Sequence, residues 1–246
     1  MRKHSSILML LVRSTMYPIL GLLCLLVVVE SGIFLALMQN QNSLTLNSLM
    51  QSGWLWRGAW VILLLITILL CRTGCEFGSK CGYTLRRLMV SERQIFFWQA
   101  VYNTGIYLLF WAVEMAVLLG LGFYYIKRQG FTELEQQLLF LTTYRSALFH
   151  SLLPLRDVSR WVCTAVLFAG LGVTSAAFPI RHRYKKYTGE VVLLVGAMLF
   201  WFPGAMGGMS QEIMTGIAFA ALGFMAIVRV WDTVEGEDDH ETTKEA

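Results

Sequence analysis

Charge is what this chain has least of. Asp, Glu, Lys and Arg supply 15% of its 246 residues, where ordinary soluble domains carry about 25%. Apolar residues supply 56%, which excludes an ordinary water-soluble fold. No soluble domain is in sight either. The longest stretch between apolar runs is 127–159, too short to hold a core of its own. Any nucleotide-hydrolysing or ligand-capturing domain is therefore expected on another chain. The histidines, His4, His150, His182 and His240, are scattered and fall outside the apolar runs. There is no HExxH, no GxSxG and no acidic pair set against a histidine, so intramembrane catalysis has no motif to rest on. The cysteines, Cys24, Cys71, Cys75, Cys81 and Cys163, make no zinc-type CxxC pair. Free thiols are expected rather than a disulfide framework, with no metal site and no cofactor on this chain. Nothing points to nucleic acid.

What is present is a series of apolar stretches, each long enough to cross a hydrocarbon core of ~30 Å. The reading is an all-α polytopic membrane protein with six transmembrane helices in one membrane domain, 1–231. The spans are placed at about 16–38, 54–71, 100–126, 161–180, 191–206 and 213–231. The basic start (Arg2, Lys3, Arg13) and the following apolar run resemble a signal peptide. The run continues too far and lacks a small-x-small site, so an uncleaved first span is expected. Pro18 is placed in its first turn, where proline is tolerated. Trp54, Trp56 and Trp60 open the second span as an aromatic anchor at one interface. Pro203-Gly204 is expected to break the fifth span. Segment 127–159 mixes apolar residues with Glu133, Glu135, Arg145 and His150, and is expected as an extracellular amphipathic segment at the interface, ended by Pro154. The acidic tail 232–246 lacks apolar bulk and is expected to be disordered and cytoplasmic.

Lys and Arg set the orientation. With the N-terminus inside, the inner segments hold Arg2, Lys3 and Arg13, then Arg72, Lys80, Arg86, Arg87 and Arg93, and the RHRYKK cluster at 181–186. The outer loops hold only Lys127, Arg128, Arg145 and Arg156. This asymmetry favours N-in, C-in.

Residues 78–99, GSKCGYTLRRLMVSERQIFFWQ, lie between the second and third apolar runs. The stretch is basic and too polar for lipid. It allows a short helix over 83–90 lying along the membrane, with Leu85, Leu88 and Met89 on one face and Arg86 and Arg87 beside it. Ser91-Glu92 reads as the start of the next helix. A basic cytoplasmic loop would follow from the positive-inside rule alone, so these residues leave open a docking surface or a plain connector. The segment resembles the coupling-helix region of the integral-membrane permeases of type 2 ABC exporters. In that family a TLRRL-P-VSRR-like segment after the second span packs into a groove of the ATPase subunit. Thr84, Leu85, Arg86, Arg87, Leu88, Val90, Ser91 and Arg93 match in kind, and Met89 stands where proline is common. The segment SLLPLRD, 151–157, resembles a subset of such permeases from Gram-positive bacteria.

The resemblance implies a multi-pass subunit of a bacterial plasma membrane with no covalent chemistry of its own. It would form half of a translocation pathway for a peptide, lipid or drug-like amphiphile. It also implies docking of a separate ABC ATPase through Tyr83, Thr84, Leu85, Arg86, Arg87, Leu88, Met89, Val90, Ser91 and Arg93, with ATP and Mg on that partner. A second permease copy or a related permease would complete the pathway, with membrane lipid around it. The alternative is a membrane immunity or sensor component that works without an ATPase.

Carboxylates within a span are costly and point to function. Glu30 lies about 25 Å up a helix from Arg13, and Glu114 is placed at similar depth. Arg57 enters from the same side. A buried ion pair of Arg57 with Glu30 or Glu114 is one reading. A gate, a pathway or a contact with a cationic cargo in an outer vestibule is another. Glu212, at the outer end of the sixth span, is expected in water.

Overall fold

The computed structural model describes residues 2–40, 53–73, 91–129, 158–186, 188–201 and 209–245, and among these every regular element is a helix. In chain order they are α1 (Arg2–Asn40), α2 (Gly53–Thr73), α3 (Glu92–Gln129), α4 (Val158–Arg183), α5 (Glu190–Trp201) and α6 (Met209–Glu245). Five are long and apolar enough to cross a membrane. This is a multi-pass membrane protein. The fifth expected span differs: α5 has 12 residues, about 18 Å of helix, and reaches across little more than one leaflet. Pro203-Gly204 lies outside the described residues, as do residues 130–157 of the expected amphipathic segment 127–159, whose two ends belong to α3 and α4.

The helices outrun the apolar windows that announce them. α1 begins at Arg2 rather than near Met16, so Pro18 sits well inside it. Its ring removes one backbone bond. The hydroxyls of Ser14 and Thr15, one turn earlier, donate to the Leu11 carbonyl at 2.9 and 2.8 Å. Local hydroxyl bonding of this kind accompanies proline in spans. α3 begins at Glu92, where Ser91-Glu92 signals a start, well ahead of the apolar window that opens near Ala100. α6 continues through the acidic segment to Glu245, where composition alone predicts disorder. The span has already met the cost of helix nucleation, so each added residue needs only propagation. The Thr233 hydroxyl donates to the Arg229 carbonyl at 2.6 Å and Arg93 pairs with Glu235, which supports the first turns of that extension.

α4 is the centre of the bundle. It packs against α2, α3, α5 and α6, and 61% of its apolar window is buried, against 22–44% for the other long helices. Glycines permit the approach. A Cβ on Gly172 would stand 2.7 Å from the Thr104 nitrogen of α3. A Cβ on Gly216 of α6 would meet the Cys163 sulfur at the same distance. Small residues at helix crossings replace the hydrophobic drive that lipid cannot supply. Some polar groups in the spans pair across helices: Asn103 donates to Ser175 Oγ at 2.9 Å, and Tyr107 to Thr67 Oγ1 at 3.1 Å. α1 packs on α2, with Val29 and Ile33 over Gly58.

Candidate functional site

One end of the bundle gathers the basic helix termini. α4 closes there in a Schellman turn: Lys186 N–H reaches the Arg181 carbonyl and Lys185 N–H the His182 carbonyl, both at 3.0 Å. Lys185 takes φ 54°, a left-handed position usually given to glycine. The turn presents RHRYKK beside the first turn of α3.

α3 starts where the sequence pattern places it. The Ser91 carbonyl accepts the N–H groups of Gln94 and Ile95 at 3.0 and 3.2 Å. Immediately inside, Glu92 accepts Arg183 at 2.7 Å and the Tyr184 hydroxyl at 3.0 Å. Arg93 reaches Glu235 of α6 at 2.7 Å. Phe96 is buried edge-on against Trp231 of α6, centroids 6.4 Å apart. Ile95 and Trp98 pack on Leu11 of α1. The first two turns of α3 are thus tied to α1, α4 and α6. Of the expected docking residues, Ser91 and Arg93 are placed at this junction; Tyr83, Thr84, Leu85, Arg86, Arg87, Leu88, Met89 and Val90 lie outside the described residues.

A second knot sits beside it. Glu190, at the start of α5, is buried and accepts Arg181 of α4 at 3.2 Å and Arg229 of α6. Neither Glu190 nor Arg229 stands out in the sequence. The available signal is positional: an acid directly after the densest basic cluster, opening an apolar run.

Deeper in the membrane, Glu30 of α1 and Glu114 of α3 are both 0% exposed. Their carboxyl groups lie within reach of one another, and none of the four oxygens meets a donor. The sequence places them at similar depth, and the structure brings them together. They face each other rather than an open outer vestibule. Arg57 does not join them: it is exposed, with its guanidinium 5.0 Å above the Trp54 ring. Rotation of α2 decides this, since Leu55, Trp56 and Ala59 turn inward and Arg57 outward. Of the expected aromatic anchor, Trp54 faces out, Trp56 is buried, and Trp60 donates to the Val195 carbonyl of α5 at 3.2 Å. Two facing carboxylates in a dry interior require a positive charge between them, from a proton or a cation.

At the opposite end Glu212 is buried, not in water. It accepts Ser159 Oγ at 2.6 Å, and its carbonyl accepts the Cys163 thiol at 3.0 Å. Cys24, Cys71 and Cys163 are not in disulfides. Among the described residues no three His, Cys, Asp or Glu side chains converge as a metal site would need.

No family model, no curated protein and no solved structure matches this chain.

Proposed function

We propose that this chain is the permease subunit of an ATP-driven exporter of the type 2 ABC kind, set in a bacterial plasma membrane with its basic end in the cytosol. Residues 83–91 and Arg93 dock a separate ATPase that carries ATP and Mg. A second copy or a related permease completes the pathway. The cargo is a peptide, a lipid or an amphiphile.

The observation that carries this reading is the clamp on the first turn of α3. The docking segment leads through Ser91 into a helix of 38 residues, whose first residues are ion-paired to α4 and α6. A displacement of residues 83–91 is therefore delivered to three spanning helices at once, which is what coupling to an ATPase requires. A loop that served only to satisfy the positive-inside rule has no need of such ties.

Co-purification tests it. The tagged full chain is extracted in mild detergent from its native membrane, as wild type and as Arg86→Glu/Leu88→Glu. An ATP-binding subunit retained by the wild type and lost by the variant is expected. A folded chain that brings no ATP-binding subunit in either form overturns the reading.

A further inference from the structure

A cavity of ≈ 710 Å³ opens on the side of the bundle between α2 and α5, with Phe178 of α4 at its basic end. Its α2 wall is one helical face, from Trp60 through Leu64, Thr67 and Ile68 to Arg72. That face is about 18 Å long, close to half of a ~30 Å hydrocarbon core. α5 supplies the facing wall with Val191, Val192 and Val195. The indole of Trp60, bonded to the Val195 carbonyl, joins the two walls at the far end. Gly196 leaves space there, since a Cβ on it would meet nothing within 4 Å.

The floor is buried and apolar. Its polar exception, Thr67, is satisfied: it accepts Tyr107 and donates to the Leu63 carbonyl. The rim faces outward, with Ile68 54% and Val192 71% exposed. Arg72 stands at the mouth and is exposed. Its position differs from that of its basic neighbours. Arg181 and Arg229 are spent on Glu190, and Arg183 on Glu92. Among the described residues Arg72 has no acidic partner. His182 lies stacked on Phe178 at the same end, centroids 5.7 Å apart.

We infer that this groove binds an anionic phospholipid of the leaflet at the basic end. One acyl chain lies along the apolar wall between α2 and α5, and the phosphate meets the Arg72 guanidinium. Length, apolarity and charge select this occupant together. The groove is one leaflet deep because α5 is short. Its floor offers no unsatisfied polar group for a peptide backbone. Its cation is at the headgroup level, where a basic group between spans attracts anionic lipid. The inference stands apart from the exporter reading, because it needs no ATPase.

The test uses the purified, delipidated full chain in detergent, titrated with dioleoyl phosphatidylglycerol or dioleoyl phosphatidylcholine, with bound lipid counted by native mass spectrometry. Wild type is expected to bind the glycerol lipid more tightly than the choline lipid. Arg72→Gln is expected to weaken phosphatidylglycerol about fivefold and leave phosphatidylcholine unchanged, while Arg72→Lys retains the preference. Gly196→Trp, which fills the space at the far end, is expected to lose both lipids. The exposure of Arg72 keeps its variants folded, so the charge arm stands even if the tryptophan variant misfolds. Equal binding of the two lipids by wild type, or an Arg72→Gln variant indistinguishable from it, overturns the inference.

Discussion

Glu190 carries an unequal share of the order at the basic end. One buried carboxylate receives guanidinium groups from two helices. Removing one member of a buried pair strands the other charge, at a cost of about 3–5 kcal/mol. Exposed pairs contribute only about 0.2–1 kcal/mol, and Arg93–Glu235 is of that kind, with side chains 41% and 60% exposed. Glu190→Ala is therefore expected to lower the melting temperature of the detergent-purified protein by on the order of 10 °C. Arg93→Ala is expected to move it by about 2 °C or less. Equal shifts for the two variants would remove the distinction drawn here between buried and exposed pairs. The Glu30 and Glu114 pair is a different case. Among the described residues no cation meets it, so the pair contributes no net attraction between α1 and α3 until a proton or cation arrives.

At the scale of elements, helix approach is decided by where side chains are missing. Gly172 lets α4 touch the backbone of α3 at Thr104, whereas Gly120, also in α3, faces open space. Alanine at 172 must push the two helices apart: it meets the Thr104 hydroxyl first and, directly behind it, the Thr104 backbone nitrogen and Cα, which no rotamer change can move aside. Gly172→Ala is expected to reduce the yield of monodisperse protein on size exclusion and lower its melting temperature. Gly120→Ala is expected to leave both unchanged or gain about 0.5–1 kcal/mol. A harmless Gly172→Ala would mean that the α3–α4 crossing is looser than described. The same comparison shows what the sequence could tell. Hydropathy marks the apolar middle of α3 and α6. Their polar ends are helical because the spans nucleate them and because Glu92, Arg93 and Glu235 find partners, information that no apolar window contains.

At the scale of the whole molecule, the basic residues separate by end. Arg72, Arg93, Arg181, Arg183, Lys185, Lys186 and Arg229 collect at the end shared by the ion-pair network. Lys127 and Arg128 close α3 at the other. The positive-inside rule assigns the first end to the cytosol. In a chain whose native cysteines have been replaced, Lys185→Cys is expected to react with a membrane-impermeant maleimide only after cells are opened, and Lys127→Cys in intact cells. Both side chains are exposed, so access is not in question. The reverse labelling pattern would turn the molecule over and place residues 83–93 where no cytosolic ATPase could reach them.

The sequence by itself determined the class of molecule, the approximate positions of the long spans, the start of α3 after Ser91 and the basic character of one end. These depend on local sums of apolarity, charge and capping preference, which neighbours in the chain decide. It also singled out Glu30 and Glu114, because a carboxylate in an apolar run is conspicuous without any knowledge of its surroundings. Only the tertiary structure decided which groups meet. It turned Arg57 outward, set Glu30 against Glu114, buried Glu212 and made Glu190 the partner of Arg181 and Arg229. It also opened an apolar groove beside Arg72. Those outcomes depend on how each helix is rotated and how closely it is approached. In an apolar span nearly every face is compatible with lipid, so rotation is set by close packing at glycines and by the pairing of a few polar groups far apart in the chain.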